Sequence, residues 1–168
     1  FLAQGVSASG PMDRGAFERA GGWLGGAGAT GIEFTAGIGF VVEDGPLAMA
    51  ADGGDYALTV NGELVAWPAR LVLKAGDEVE VRPGAWGNWG YLRFGQEIDV
   101  PAVLGSRATN SIAGLGRMLK AGDRLAFREE APRRAAPHPR PVTPGEGPIR
   151  VIWGLHADTF AGAVRERF

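Results

Sequence analysis

A mainly-β domain with flanking helices is the fold class that this 168-residue chain predicts. Three features of the sequence predict it. Glycine is in excess, 28 residues without a G-X-Y period, and the glycines fall between apolar runs, where turns favour positive φ. An Asn61-Gly62 step separates Tyr56-Ala57-Leu58-Thr59-Val60 from Leu64-Val65-Ala66-Trp67, a strong short signal for a hairpin. Residues 70–74 and 78–82 alternate polar and apolar side chains around Ala75-Gly76-Asp77, which reads as a second turn.

The first element along the chain is a helix. Ser9-Gly10-Pro11 offers a serine near an N-cap and a proline suited to a first turn. Asp13 follows where a helix N-terminus favours negative charge. Phe17, Ala20 and Leu24 make one apolar stripe with Trp23 beside it, and Gly21, Gly22, Gly25 and Gly26 end the helix near residues 23–25. From 32 to about 127 the pattern is of strands. Leu73-Lys74-Ala75-Gly76-Asp77-Glu78-Val79 is echoed by Leu119-Lys120-Ala121-Gly122-Asp123-Arg124-Leu125. Two copies are too few for a solenoid and fit two similar turns feeding strands of one barrel.

Residues 129–148 differ in kind. Prolines 132, 137, 139, 141, 144 and 148 with few apolar neighbours predict an extended spacer or mobile loop. Beyond it, Ile149-Arg150-Val151-Ile152-Trp153 predicts a short strand. A final helix is expected with Asp158 as N-cap and Phe160, Val164 and Phe168 on one face. The expected division is therefore a barrel half over 1–128, a linker over 129–148, and the start of a second module over 149–168. The chain opens Phe1-Leu2-Ala3 without an initiator Met and stops inside a helical pattern, so both ends read as cut.

Composition narrows the function. A net charge of −2 supplies no basic field for phosphate backbones, which argues against a nucleic-acid partner. Cysteine is absent, which removes disulfides, thiolate catalysis and Cys-based zinc sites, and leans toward a cytoplasmic location. No apolar run approaches the about 18 residues of a membrane helix, and no charged-then-apolar signal segment opens the chain. Signatures of a P-loop, of G-x-S-x-G and of H-E-x-x-H are missing. His138 and His156 flank proline-rich text without acidic neighbours at metal-site spacing, so no metal site and no catalytic residue is assigned. Gly84-Ala85-Trp86-Gly87-Asn88-Trp89-Gly90 reads either as tryptophans plugging a barrel end or as an aromatic binding loop.

Two polar segments hold the candidate binding residues. In residues 5–14, amides at a glycine-flanked helix start near Ser9 and Asp13 can bind a carboxylate or oxyanion. In residues 99–109, Ser106 precedes Arg107, whose guanidinium can clamp a planar anion bidentately. Each also has a plain structural reading, Ser9 as a cap and Arg107 as a turn organiser.

Gly5-Val6-Ser7-Ala8-Ser9-Gly10-Pro11-Met12-Asp13 followed by Ala16-Phe17 resembles the opening of the allophanate hydrolase subunit 2 family, also described as the C component of 5-oxoprolinase and including the KipI antagonist KipA. Glu33-Phe34-Thr35 resembles its Glu-x-Thr strand, and Asp99-Val100-Pro101 with Leu104-Gly105-Ser106-Arg107 its central motif. Leu115-Gly116-Arg117, Leu119, Ala121-Gly122-Asp123 and the stretch from Arg150-Val151-Ile152 to Phe160 continue in the family's order. Departures are Gly21 and Gly26 where the family carries asparagines, Gly154-Leu155 for Gly-Pro, Ala108 within Ser-Arg-Ser-Thr, and Phe94-Gly95-Gln96-Glu97 in place of a Gly-Gly text.

The resemblance implies a cyclophilin-like β-barrel in a chain about half as long as its relatives. It implies a related partner, the B component (allophanate hydrolase subunit 1, KipI-like), and a TIM-barrel-like A component. It also implies ATP used by the complex, and biotin on a partner carrier in the carboxyltransferase branch. The activity implied is ATP-dependent opening of 5-oxoproline to glutamate, or related allophanate and urea chemistry, with a small amide as substrate. Ser9, Asp13, Ser106 and Arg107 would then bind substrate, Arg107 orienting its carboxylate. The alternatives are a regulatory protein that sequesters a kinase inhibitor, and a non-catalytic structural member.

Overall fold

A computed structural model describes residues 6, 9–128, 148 and 151–167. Helix α1 (Arg14–Trp23) is followed by strands β1 (Gly31–Phe34), β2 (Ile38–Val41), β3 (Leu47–Gly53), β4 (Tyr56–Val60) and β5 (Glu63–Val65). Then come β6 (Ala69–Leu73), β7 (Glu78–Pro83), β8 (Gly90–Phe94), β9 (Glu97–Ile98) and β10 (Phe127–Arg128). The strands form two four-stranded antiparallel sheets, ordered β1-β8-β3-β6 and β2-β7-β4-β5, with β10-β9 as a small third sheet. The expected mainly-β fold is present.

One core lies between the two large sheets, and side-chain alternation builds it. Ile32, Phe34, Met49, Ala51, Leu92 and Phe94 point inward from the first sheet, and Tyr56, Leu58, Val79 and Val81 from the second. The second sheet has one wet face, so β7 alternates exposed and buried residues. The first sheet is covered on its other face by α1, which is why all five residues of β8 are buried. Register puts Ala50 opposite Arg93, Asp52 opposite Tyr91 and Glu33 opposite Tyr91, so these polar groups share the face beneath the helix.

Small residues let α1 lie close to that sheet: Ala16, Ala20, Gly21 and Gly22 are buried, with Arg19 among them. Phe17, Trp23 and Leu24 of the expected stripe are only partly buried. The helix ends at Trp23, as the glycines predicted. Its N-cap is Asp13, whose Oδ1 accepts from the Ala16 N–H at 2.9 Å, and not Ser9, which lies four residues earlier at φ 58. An aspartate three residues before a free amide meets the capping geometry; Ser9 sits beyond Pro11, outside the helical turn.

The Asn61-Gly62 hairpin forms, with φ 53 and 81 at its two turn residues. The repeated motif folds the same way twice. Lys74 N–H donates to Asp77 Oδ2 at 2.7 Å and Asp77 N–H to Lys74 O at 3.1 Å, and Lys120 and Asp123 repeat both distances. Gly76 and Gly122 take φ 88 and 87. The tryptophan loop closes onto the β3–β4 turn: Gly54 N–H donates to Trp89 O and Asp55 N–H to Trp86 O.

The C-terminal expectations change. Residues 151–153 carry no strand, because no partner strand is hydrogen-bonded to them among the described residues. A 3₁₀ turn (Ala157–Thr159) and a short helix α2 (Gly162–Arg165) follow. The latter's N-cap is Ala161, while Asp158 pairs with Arg165 at 3.0 Å. Residues 129–147, 149, 150 and 168, and with them most of the expected linker, lie outside the described residues. Among the described residues no helix is long and apolar enough to cross a membrane.

Candidate functional site: two anchored segments on one strand

The segment before α1 is clipped to the first sheet. Met12 N–H donates to Glu33 Oε2 at 2.7 Å, and Asp13 N–H donates to the Tyr91 hydroxyl at 2.6 Å. That hydroxyl donates in turn to Glu33 Oε2 at 2.8 Å. Burial pushes the Tyr91 phenol well above its ordinary range, and the neighbouring Glu33 carboxylate adds to the push, so Tyr91 stays a proton donor. Two of the amides that the sequence offered to an external anion are thus held by a carboxylate and a phenol of the domain itself. Ser9 is partly buried and left-handed, and Asp13 has one carboxylate oxygen on its own helix cap.

Ser106 and Arg107 are delivered by a tight turn. Val103 and Ser106 exchange backbone hydrogen bonds at 2.7 and 3.0 Å across Leu104 and Gly105, which take φ 53 and 78. Such a two-residue turn needs left-handed conformations at both central positions. For Leu104 this is strain, held at the segment that presents Ser106 and Arg107. Ser106 Oγ accepts from the Ala108 N–H at 3.1 Å. Arg107 Nε–H donates to Val100 O at 3.2 Å, and its Nη1 lies 3.7 Å from Glu97 Oε1. Glu97 is 0% exposed. Its Oε2 accepts from the Ala29 N–H and from the Thr30 N–H.

The two segments meet opposite ends of one short element. Thr30 adjoins the Glu97–Arg107 pair and Glu33 clips the other loop. Those residues are three positions apart, ~10 Å along an extended chain at about 3.3 Å per residue. Ser9 and Asp13 therefore sit with Glu33 and Tyr91, whereas Arg107 sits with Glu97 and Val100. Between the segments Arg93 bridges three backbone carbonyls, of Thr30 at 3.0 Å, Phe17 at 2.9 Å and Gly28 at 2.5 Å, with its guanidinium 3.9 Å from the Phe17 ring centroid.

Sequence reasoning missed Glu97, Tyr91 and Arg93 as members of these clusters. The available signal was the strand Gly90-Tyr91-Leu92-Arg93-Phe94, where polar and apolar side chains alternate between two covered faces. Glu97 gave no local signal, since its burial depends on the turn at residues 27–30 folding over it.

The architecture defines the class first: a mainly-β domain with few helices and a polar layer under α1, matching carboxyltransferase-like structures. Across residues 4–168 the chain matches the carboxyltransferase domain, subdomains A and B, and it belongs to that family. It is 32% identical to the C component of the 5-oxoprolinase of Escherichia coli (strain K12) over 176 residues, covering 100% of this chain and 53% of that protein. It is 31% identical over 130 residues to the urea amidolyase of Lachancea kluyveri, covering 74% of this chain and 7% of the relative. The crystal structure of the Kluyveromyces lactis urea carboxylase superposes with a TM-score of 0.68 at 29% identity, over 79% of this chain and 12% of that one. The chain thus spans about half of one curated relative and a small part of the other.

Proposed function

We propose that this chain is part of the C-type component of an ATP-dependent 5-oxoprolinase, which opens 5-oxoproline to glutamate with a KipI-like and a TIM-barrel-like partner in the cytoplasm. The observation that supports this most is the 32% identity to the C component of a 5-oxoprolinase along the whole of this chain. In this reading residues 1–128 form one barrel half, 129–148 the linker, and 149–168 the start of a second module.

Arg107 holds the substrate carboxylate. Its planar guanidinium offers parallel N–H donors, and its side chain is 25% exposed, so part of it faces outward while Nε is fixed on Val100 O. Ser106 lines the same turn. Ser9 and Asp13 contribute from the other end of β1, through side chains and remaining amides, since the Met12 and Asp13 N–H groups are engaged. The chemistry shared with the urea relatives is attack on, or activation of, a small amide-like carbonyl, for which fixed donors are suited. The Met12 and Asp13 amides serve Glu33 and Tyr91 and the Ala16 amide serves the Asp13 cap, so these three are not offered to a phosphate. We assign nucleotide to the partner proteins and, in a carboxyltransferase branch, biotin to a carrier.

The test is reconstitution. The full reading frame, co-expressed with its two partners, should release glutamate from 5-oxoproline only with ATP, and omission of this component should abolish release. A stable complex that releases nothing would overturn the enzymatic reading in favour of regulatory binding. Arg107→Ala with unchanged kinetics would remove Arg107 from the site.

A further inference from the structure

Glu97 is a fully buried carboxylate with donors on both sides. Oε2 takes the Ala29 and Thr30 amides, while Oε1 accepts no hydrogen bond and faces Arg107 Nη1 at 3.7 Å. That separation is within ion-pair range and beyond a hydrogen bond. A buried carboxylate without countercharge is strongly unfavourable, so the guanidinium is drawn toward it. The carboxylate in turn has nowhere to retreat. A Cβ on Gly28 would stand 2.6 Å from Oε2 and 2.7 Å from Glu97 Cα, so the turn over Glu97 closes only on glycine.

We infer that Glu97 is the positioning residue for Arg107: with Val100 O it sets the plane and reach of the guanidinium. The inference rests on the reading of Arg107 as the carboxylate clamp. Nε is held by its hydrogen bond to Val100 O, and the charge of Glu97 Oε1 at 3.7 Å draws the Nη1 side of the guanidinium inward. The outward part of the side chain then meets substrate in one orientation, without the rotamer freedom of a surface arginine. Only an acceptor-only group fits between these neighbours. Glutamine at 97 would turn its amide N–H₂ either onto the Ala29 and Thr30 amides or onto the guanidinium. Aspartate keeps both acceptors but draws back by one methylene. Glu97 touches no substrate and acts through Arg107.

Steady-state kinetics of the reconstituted complex, with Glu97→Gln, Glu97→Asp, Arg107→Ala and the Glu97→Gln/Arg107→Ala double variant, test it. The expected result is a rise in KM for 5-oxoproline of about tenfold or more in Glu97→Gln, the scale for losing an orienting partner behind a binding group, with kcat little changed. In the Arg107→Ala background the Glu97→Gln change should add less than about twofold, because its effect runs through Arg107. An unchanged KM, or a further equal loss in the double variant, would overturn the inference. If Glu97→Gln does not assemble, Glu97→Asp carries the same comparison with the charge retained. Solvent exchange of the Arg107 Nε–H, followed by ¹⁵N NMR on the full-length protein, reads positioning apart from turnover. Protection in wild type that is lost in Glu97→Gln is expected, and equal exchange in both would refute it. Wild type with no ATP-dependent turnover sinks the 5-oxoprolinase reading alone, and the exchange measurement still decides for or against Glu97.

Discussion

Replacing Asp52 by asparagine removes the charge that anchors Arg19 beneath α1, and the structure fixes how much that should matter. Arg19 Nε and Nη2 donate to the two Asp52 oxygens at 3.0 and 2.7 Å, and the side chains are 9% and 2% exposed. The hydrogen bond to Asp52, opposed by burial, raises the Arg19 pKa above its ordinary value, so its charge cannot be shed. Removing one partner of such a buried pair costs about 3–5 kcal/mol, because the other charge is left unpaired in the interior. Asparagine keeps one acceptor, which places the expected loss near the lower end, ~3 kcal/mol. For a domain of this size that is a fall in Tm of about 6–12 °C, at 2–4 °C per kcal/mol. Urea denaturation with circular dichroism measures it, with Glu80→Gln as control. The Arg82–Glu80 pair has side chains 72% and 49% exposed and is worth no more than about 1 kcal/mol. If both variants shift the midpoint equally, at unchanged m-value, the pair under the helix is not a buried anchor. An Arg19→Met/Asp52→Leu double variant should regain most of the loss, since a packed apolar pair removes the stranded charge.

Two further predictions concern packing and pH. Gly28→Ala places a methyl 2.7 Å from backbone atoms of Gln96 and Glu97 and should destabilise by about 1–3 kcal/mol or prevent folding. Gly62→Ala meets open space and should lose only the ~1 kcal/mol of a left-handed alanine, so equal losses in denaturant titrations would contradict the close approach at Gly28. The chain has two tyrosines, and burial raises the pKa of both Tyr56 and Tyr91. A raised folded pKa means stability that is full below the unfolded value of about 10 and is lost as pH climbs toward the folded value. Tyrosinate absorbance should therefore be absent near pH 10 in the folded protein and present in denaturant. Titration of either phenol near 10 in the folded state would refute that tyrosine's burial. Tyr91→Phe should reduce the alkaline loss of stability.

Elements that satisfy their own hydrogen bonds locally were legible. The Asn61-Gly62 turn and both Lys-Ala-Gly-Asp turns close within a few residues, so their text names their geometry. The end of α1 at its glycines follows the same logic. The N-cap went to Asp13 instead of Ser9 because capping depends on where the first helical turn begins, which the sequence brackets only to a few residues. The described part of the strand expected after the proline-rich stretch, residues 151–153, is not in a strand, since a strand needs a partner that local alternation does not supply.

The sequence by itself determined the mainly-β class, the hairpins and the first helix through the spacing of apolar, glycine and turn residues, and the family through the resemblance of motifs such as residues 5–13 and 99–107. It also singled out Ser9, Asp13, Ser106 and Arg107 by residue type. Tertiary structure alone decided who their neighbours are. Glu33 and Tyr91 reach the Met12 and Asp13 amides across 21 and 78 residues of sequence, and Glu97 reaches the Ala29 amide across 68. Burial of a charge beneath a distant turn leaves no periodicity in the chain, so the anchor behind Arg107 becomes visible only once the sheets have closed.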